Sequence, residues 1–397
     1  MSTIRGLFTF NSVLYAVRDS SLISIDSNGI ETARGSIGSA GGPVDMNQNL
    51  SELVICDGLA LYVWDGSTIT TNSSFSFGDR ITFIDQRIVA TVRGTQSFVW
   101  SELGDAKTIQ ALSNLAAEGS PDKVVAVIAN LRELLVAGEY TAEVFHSIGG
   151  ETVFSRSEPE YLQVGCAAPH SMQLAADTIC WLGRDAKGQA KVFAGRGQRI
   201  STRAIEERFE GLDLTSARAF AYADGAHEFY ALNVPNVGTT LTYDFTYKQW
   251  HERAELVNGE YQHWRPTCHA AAYGKHFFGA DDGTIYRLDS TVNDYAGSPK
   301  CRSRVCPITA NPSMNQTSYR AFEIICEKGT AANVMLRWKN AAEESWGGWR
   351  YMSTGDIGKY RTRINKQNLG GGYDRVFEVR MTDNAPFNPV SVDVQMN

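Results

Sequence analysis

The feature that most constrains the fold is a degenerate repeat of short apolar strands, each ending in a small polar or turn-forming residue. The endings fall at Asp26, Asp65, Ser101, Ser147, Gly195, Asp244 and Asp289. Successive endings are 36 to 49 residues apart, close to the period of roughly 40–50 residues found for four-stranded propeller blades. One such unit cannot bury its apolar face alone, so the repeat predicts blades stacked in a ring.

A second strand precedes each of these endings, and turn formers separate the two strands. Leu53–Cys56 is followed by Asp57 and Gly58 and then by Leu61–Trp64. Asp-Gly between apolar strands is a strong hairpin signal, because glycine adopts positive φ without steric cost. An aspartate that recurs once per unit is also expected to serve the turn, since a catalytic pair would occur once.

The repeat stops near residue 295, and the remaining chain alternates polar and apolar residues with the period of β-strands. The predicted fold is therefore all-β, with a six- or seven-bladed β-propeller over residues 1–295. A C-terminal antiparallel β-sandwich-like domain is predicted over residues 296–397. Two short connecting helices are predicted at 202–212 and, from a weaker pattern, at 106–117.

Composition excludes several functional classes. The 397 residues carry a net charge of −7 at a pI near 5.6, which argues against a protein whose main task is to neutralise phosphates. No run of 18 apolar residues predicts a membrane span, and no secretory signal is expected. The seven cysteines are an odd number without a compact framework and are expected to be reduced thiols.

Motifs for catalysis and for cofactors were sought without result. The sequence has no phosphate-binding loop, dinucleotide fingerprint or nucleophile elbow. Cys301 and Cys306, with Cys268 and His269 upstream, do not form the two close pairs typical of structural zinc. We therefore expect no cofactor, no metal and no enzymatic activity, although the many carboxylates leave a glycosidase pair open on residue type alone.

Two arginine clusters and one tryptophan pair are the candidate contacts to other subunits or partner proteins. Solvated charge and packing of tryptophans across a hairpin are the alternatives for these residues. The candidates are Arg196, Arg199 and Arg203, then Arg302 and Arg304, and finally Trp346 and Trp349.

Several motifs occur in an order that resembles the packaged-DNA stabilisation family of short-tailed, podovirus-type phages. The resemblance extends from about residue 5 to the end, and it rests on the order and spacing of the motifs together. The motifs are Gly119 to Asp122, Gly138 to Glu143, Gly165 to Pro169, Ile179 to Gly183, Arg199 to Glu206, Trp250 to Arg253, and Gly370 to Glu378. Family members usually begin with a further segment before the first blade, whereas the sequence given starts almost on the first strand.

The resemblance implies a structural virion protein, namely the tail hub or nozzle, assembled in the host bacterial cytoplasm. Such a protein attaches below the portal and adaptor, extends and helps close the DNA channel, stabilises packaged DNA and allows its ejection. The implied partners are further copies in a ring, expected to be a hexamer, with portal-adaptor proteins, the tail needle or plug, and tailspikes. Double-stranded DNA would pass without sequence recognition, so a polar to acidic channel lining is expected.

Two alternative functions stay open at this point, one of which is a generic propeller adaptor that binds host proteins. A carbohydrate-binding or glycan-cleaving propeller, such as a receptor-binding tail protein, would share the repeat. It would differ by having exposed aromatic residues and a pair of carboxylates in a central pocket.

Overall fold

The computed structural model describes residues 2–149, 153–185, 187–258, 260–310, 315–340 and 345–396. The chain divides into two compact units. Unit 1 comprises Met1–Ala254 and Tyr261–Leu288, and unit 2 comprises Glu255–Glu260 and Asp289–Asn397. The predicted boundary at 295–296 lies a few residues beyond the break at 288–289, and the sequence did not indicate the short segment from 255 to 260.

Seven antiparallel sheets, consecutive in the chain, are formed by the described residues from Ile4 to Arg287. Sheet 1 consists of β1–β4, at Ile4–Phe10, Val13–Arg18, Ser21–Ile25 and Glu31–Ser36. Sheet 2 consists of β5–β8, at Asp45–Gln48, Leu53–Cys56, Leu61–Trp64 and Ile69–Asn72. Sheet 3 consists of β9–β12, at Phe77–Ile84, Arg87–Val92, Ser97–Trp100 and Asn114–Ala116. Sheet 4 consists of β13–β16, at Val124–Asn130, Glu133–Gly138, Ala142–Ser147 and Phe154–Leu162.

The remaining three sheets follow the same order along the chain. Sheet 5 consists of β17–β21, at Val164–Cys166, Gln173–Ala175, Thr178–Asp185, Ala190–Ala194 and Gln198–Arg199, with a 3-10 turn at Pro169–Ser171. Sheet 6 consists of β22–β26, at Arg218–Asp224, His227–Asn233, Thr240–Asp244, Gln249–Val257 and Glu260–His263. Sheet 7 consists of β27–β29, at Pro266–Ala272, Lys275–Ala280 and Ile285–Arg287.

Apolar clusters join sheets 1 to 6 in succession, as expected when a single sheet cannot bury its own face. Between sheets 6 and 7, the rings of Phe220 and Phe278 pack with 5.7 Å between their centres. A further apolar cluster closes the ring, because Ile4 and Leu14 of sheet 1 pack with Ala270 and Ala272 of sheet 7. Tyr273 Oη adds a hydrogen bond of 2.6 Å to the carbonyl oxygen of Ile25 in the same interface. The predicted all-β propeller is thus confirmed by the packing of unit 1.

The repeat in the sequence corresponds to one strand of the sheets. Each of its seven endings lies at or just beyond the end of the third strand of the four-stranded pattern, as Asp65 does after β7. The aspartates accept hydrogen bonds from the turn that follows, since Asp65 Oδ1 accepts the amides of Ser67 and Thr68 at 3.0 and 2.9 Å. This is the turn role that the recurrence predicted.

Only one of the two predicted helices is present. The pattern at 202–212 gives a single short helix, α1, at Arg203–Glu207. The prediction at 106–117 is wrong. There the amide of Ala106 donates to Glu52 Oε2 at 2.8 Å, and Asn114–Ala116 joins sheet 3 as β12, so the backbone groups are satisfied without a helix.

Unit 2 contains two larger sheets around a shared apolar core. The strands β30–β39 of this unit are Asp294–Tyr295, Ser298–Pro299, Arg302–Val305, Thr309–Ala310, Thr317–Lys328, Asn333–Asn340, Arg350–Ser353, Tyr360–Gly372, Asp374–Met381 and Pro389–Met396. One large sheet has the order β32-β38-β35-β36, with β33 also on β38, and the other has the order β37-β34-β39. Phe322 and Ile324 of β34 pack with Leu336 of β35 and Phe377 of β38, which is the arrangement of a β-sandwich.

The helices among the described residues are short. None of them combines sufficient length with sufficient apolar character to cross a bilayer.

Candidate functional site

A cavity of about 460 Å³ lies at the centre of unit 1. Side chains of all seven sheets line it, and six of these sheets contribute their first strand. Sheet 5 instead contributes β18 and His170 of the preceding 3-10 turn. The centre of a ring of sheets is where this fold brings together residues that are far apart in the chain.

Three arginines and one aspartate are the charged side chains that line this cavity, not counting histidines. Arg80 pairs with Asp45 at 3.1 Å and donates to the carbonyl oxygen of Met172 at 2.8 Å. Arg5 donates to the carbonyl oxygens of Gly42, Ser39, Asp19 and Gly41 at 2.6 to 2.8 Å. Arg218 pairs with Asp281 at 3.2 Å, and its side chain is 28% exposed.

Two histidines also line the cavity, and both stay neutral at physiological pH. Burial and the nearby charges of Arg80 and Arg218 lower the pKa of His170 to about 3. Burial and the neighbouring His276 lower the pKa of His269 to about 4. His269 Nε2 lies 2.9 Å from His276 Nδ1. The cavity is therefore positively charged overall.

The first predicted contact cluster lies on sheet 5 and α1, where each arginine has an acidic neighbour. Arg196 pairs with Glu133 at 2.6 Å, with both side chains nearly half exposed. Arg199 forms a two-pronged contact with Glu206 at 2.6 and 2.8 Å. Arg203 pairs with Glu207 at 2.8 Å and is the most exposed of the three. Arg199 and Arg203 line one surface cavity of about 680 Å³, whereas Arg196 does not.

The second cluster lies on β32 of unit 2, and its two arginines differ in environment. Arg302 donates to the carbonyl oxygen of Ala385 at 2.9 Å and contacts Asn293, and burial lowers the pKa of Arg302. Arg304, on the same strand, is exposed. Arg302 thus anchors neighbouring loops, and Arg304 is the member of this cluster that remains accessible.

The tryptophan pair encloses a cation. The guanidinium of Arg337 lies 4.6 Å from the ring centre of Trp346 and 4.4 Å from that of Trp349. The guanidinium of Arg380 also lies 4.6 Å from the ring centre of Trp349. Glu378 is buried and pairs with both arginines at 2.5 and 2.9 Å. The result is a stack of aromatic and charged groups rather than direct packing of two tryptophans.

Several of the motifs that carry the family resemblance make structural contacts within the fold. Asp122 is buried, and its carboxylate accepts the amides of Glu139, Tyr140 and Thr141 at 2.8 to 2.9 Å. A Cβ on Gly138 would lie 2.5 Å from Asp122 Oδ2, so only glycine leaves room for this contact. The first two motifs therefore meet in one turn, which the buried Asp122 carboxylate holds.

Other motifs meet in the same way. Glu206 accepts hydrogen bonds from Arg199 and from Ser201 Oγ, and Trp250 Nε1 donates to the carbonyl oxygen of Ile200 at 2.7 Å. These contacts join the motif at 199–206 to that at 250–253.

In unit 2, the buried Arg375 donates to the carbonyl oxygens of Leu369 and Gly371 at 2.8 and 3.1 Å. Contacts within the fold therefore explain the residues of the motifs described above.

The central cavity was not anticipated from the sequence. Arg5, Arg80 and Arg218 lie in different repeats, and each comes shortly before a phenylalanine of an innermost strand. That local pattern is the one signal that could have indicated them. Among the described residues, no three or more histidine, cysteine, aspartate or glutamate side chains come together as a metal site would require. All seven cysteines are free thiols.

Several solved structures are similar to the chain at low sequence identity. The WD40 domain of Neurospora crassa Pan2 is 10% identical with a TM-score of 0.46, over 72% of this chain and 88% of that one. The N-terminal domain of Nup159 is 11% identical with a TM-score of 0.45, over 71% and 88%. The extracellular domain of BT4673 from B. thetaiotaomicron is 7% identical with a TM-score of 0.48, over 91% and 46%. At these values the similarities carry no functional argument.

The comparison of sequences is more specific. No curated protein gives a significant match. A family model described as Bacteriophage P22 Gp10, beta-propeller, matches residues 2–293, which spans all seven sheets of unit 1. The chain therefore belongs to the phage packaged-DNA stabilisation family of β-propeller proteins.

Proposed function

We propose that this chain is the tail hub or nozzle protein of a short-tailed phage. In this role it attaches below the portal and adaptor, extends the DNA channel, helps to retain the packaged DNA and later lets it pass. The observation that carries the proposal is the family match over residues 2–293, together with motifs whose contacts build the matched propeller. Membership of this family also makes the chain a candidate component of the virion.

The distribution of charge supports a channel that does not hold DNA. Residues 1–288 carry 33 acidic and 23 basic side chains, whereas residues 289–397 carry 11 acidic and 14 basic ones. A duplex is retained where basic side chains displace its counterions. An acidic propeller lacks that source of affinity, so DNA would slide past it during ejection.

The candidate partner surfaces follow from exposure and charge. In a ring of identical subunits, expected to be a hexamer, Arg203 is the most exposed cation of the first predicted cluster and Arg304 is the exposed cation of the second. The proposed partners of these surfaces are acidic faces of neighbouring copies, the portal-adaptor proteins, the tail needle or plug, and the tailspikes. An exposed ion pair such as Arg203–Glu207 contributes little to folding, so Arg203 can exchange its partner at low cost.

Electron microscopy of the purified phage particle tests the proposal directly. The expected result is a ring of this protein at a single vertex, below the portal and adaptor. Size-exclusion chromatography with light scattering should show the purified chain bound to the portal-adaptor complex, and the double variant R203E/R304E should bind more weakly. A location elsewhere in the particle, or no association with the complex, would contradict the proposal.

A glycan-cleaving enzyme would need a different set of side chains in the central cavity. A retaining or inverting glycosidase generally uses two carboxyl groups on either side of the scissile bond. Among the described residues that line the cavity, Asp45 is the single carboxylate, and it is paired with Arg80. Release of reducing sugar from host polysaccharide by the purified chain would favour this alternative over the tail hub.

A further inference from the structure

The central cavity of unit 1 is lined by more positive than negative charge. Arg5, Arg80 and Arg218 are its cations, and Asp45 is its one carboxylate among the described residues. The two lining histidines add no charge near neutral pH, because both have pKa values well below the ordinary range. Among the described residues that line the cavity, the cations therefore outnumber the carboxylates by two.

The three arginines come from separate sheets but act on the same region. Arg5 is the second residue of β1, and Arg218 is the first residue of β22. Burial lowers the pKa of Arg5, the nearby Asp57, Tyr62 and Asp19 raise it, and the charge of Arg218 lowers it. Arg80 and Arg218 both lower the pKa of His170. All three arginines line the same cavity.

The charges of these arginines are incompletely balanced by the protein. The hydrogen bonds of Arg5 go to carbonyl oxygens and to the hydroxyl of Ser39, none of which carries a formal charge. Arg80 has Asp45 as its carboxylate, and its buried Nε finds no acceptor in the part of the chain that the structure describes. Burial of a charge without full compensation is unfavourable, so an anion in the cavity would stabilise the fold.

Arg218 is the cation best placed to contact a ligand. Its side chain is 28% exposed, and its carboxylate partner, Asp281, is 53% exposed. Arg5 and Arg80 are buried, and their hydrogen bonds go to other groups of the protein. A guanidinium group presents a planar set of donors that matches the oxygens of phosphate.

We infer that the central cavity of unit 1 is a binding site for a small phosphate-class oxyanion. Arg218 donates to the anion, and Arg5 and Arg80 supply the positive field that favours its entry. The cavity of about 460 Å³ admits an inorganic anion and is far too small for a DNA duplex. The site is therefore separate from the proposed passage of DNA, and it stands whether or not the chain is a tail hub.

Titration of the purified full chain with inorganic pyrophosphate tests the inference. Binding is measured by isothermal titration calorimetry at constant ionic strength, and thermal unfolding is followed in parallel, because a ligand of the native state raises Tm. We expect saturable binding by the unaltered protein. R218Q should weaken it by about tenfold or more, the loss expected for a charge-assisted hydrogen bond.

Two further variants make the test specific. D281N removes the carboxylate that competes for Arg218 and should tighten binding, which a general loss of stability could not do. R132Q removes an exposed arginine that pairs with Asp85 at 3.4 Å outside the cavity, and it should bind like the unaltered protein. The inference is overturned if the unaltered protein shows no saturable binding, or if R218Q and D281N both bind as tightly as R132Q.

Discussion

At the scale of residues, Asp122 illustrates how one buried carboxylate fixes a turn of the propeller. Its two oxygens accept three backbone amides and the hydroxyl of Thr141. Asp26 serves an exposed turn with the same chemistry, accepting the amides of Asn28 and Ile30. The two residues differ chiefly in burial, so they form a matched pair.

Replacing Asp122 by alanine should destabilise unit 1 strongly. The substitution removes a buried acceptor and leaves three partly buried amides without it, and we expect the free energy of unfolding to fall by about 2–4 kcal/mol. D26A should cost about 1 kcal/mol or less, since water can satisfy the amides of an exposed turn. Urea unfolding monitored by tryptophan fluorescence measures both. Equal losses in the two variants would show that burial is not the cause.

His269 should make the stability of unit 1 depend on pH. Burial, reinforced by His276, lowers the pKa of His269 to about 4 in the folded state, against about 6.5 in the unfolded chain. At a pH between these two pKa values, His269 binds a proton in the unfolded chain but not in the folded chain. Stability is therefore fully present above pH 6.5 and is lost as pH falls toward 4, by up to about 1.4 kcal/mol per pH unit.

The measurement is the midpoint of urea unfolding between pH 7.5 and 5, above the range in which most carboxylates titrate. H269Q should flatten the dependence on pH, although His170 retains part of it because the pKa of His170 is lowered in the same direction. The exposed His263 provides the control, and H263Q should keep the full slope. A slope that H269Q leaves unchanged would exclude His269 as the source.

At the scale of elements, several hairpins between first and second strands use residues with positive φ. The β9–β10 hairpin has a two-residue loop, Asp85 and Gln86, with φ of 45° and 64°. The β1–β2 hairpin repeats this with Asn11 and Ser12, at 47° and 62°. Such turns match the twist of the strands, but they place ordinary side chains in the left-handed region, which is unfavourable for them.

Replacing Gln86 by glycine should therefore stabilise unit 1. Glycine adopts this conformation without the steric penalty, and a gain of about 0.5–1 kcal/mol is expected in urea unfolding. Ser21, an exposed residue in the extended strand β3, is the control, because S21G should destabilise by a similar amount. A loss of stability in Q86G would mean that the side chain of Gln86 contributes more than its strained backbone costs.

Individual elements also show where the sequence was sufficient. The spacing of Asp26, Asp65 and Asp244 located a repeated strand, which is the third strand of each sheet in the structure. The sequence was sufficient there because the turn after such a strand is formed by only a few neighbouring residues. The helix predicted at 106–117 failed because distant groups intervene there. Glu52, far away in the sequence, accepts the amide of Ala106, and no local pattern reveals such an acceptor.

At the scale of the whole molecule, the acidic balance of the chain should prevent it from gripping DNA. We expect any affinity for a short labelled duplex, measured by fluorescence anisotropy, to be weaker than about 10⁻⁴ M at physiological salt. The double variant E133K/E207K removes the partners of Arg196 and Arg203 and adds two cations, so it should bind measurably at low salt. Saturable, salt-dependent binding of the duplex by the unaltered protein would contradict a channel wall that repels the DNA backbone.

The sequence by itself determined the all-β class, the ring of repeated hairpins and the family. Each of these depends on local strand and turn patterns or on the order of motifs, which are written along the chain. The tertiary structure alone decided that Arg5, Arg80 and Arg218 face one cavity, that Arg302 is an anchor, and that Trp346 and Trp349 enclose Arg337. Ring closure and sheet packing bring such residues together across long stretches of chain, and the neighbours of a residue in sequence do not encode its neighbours in space.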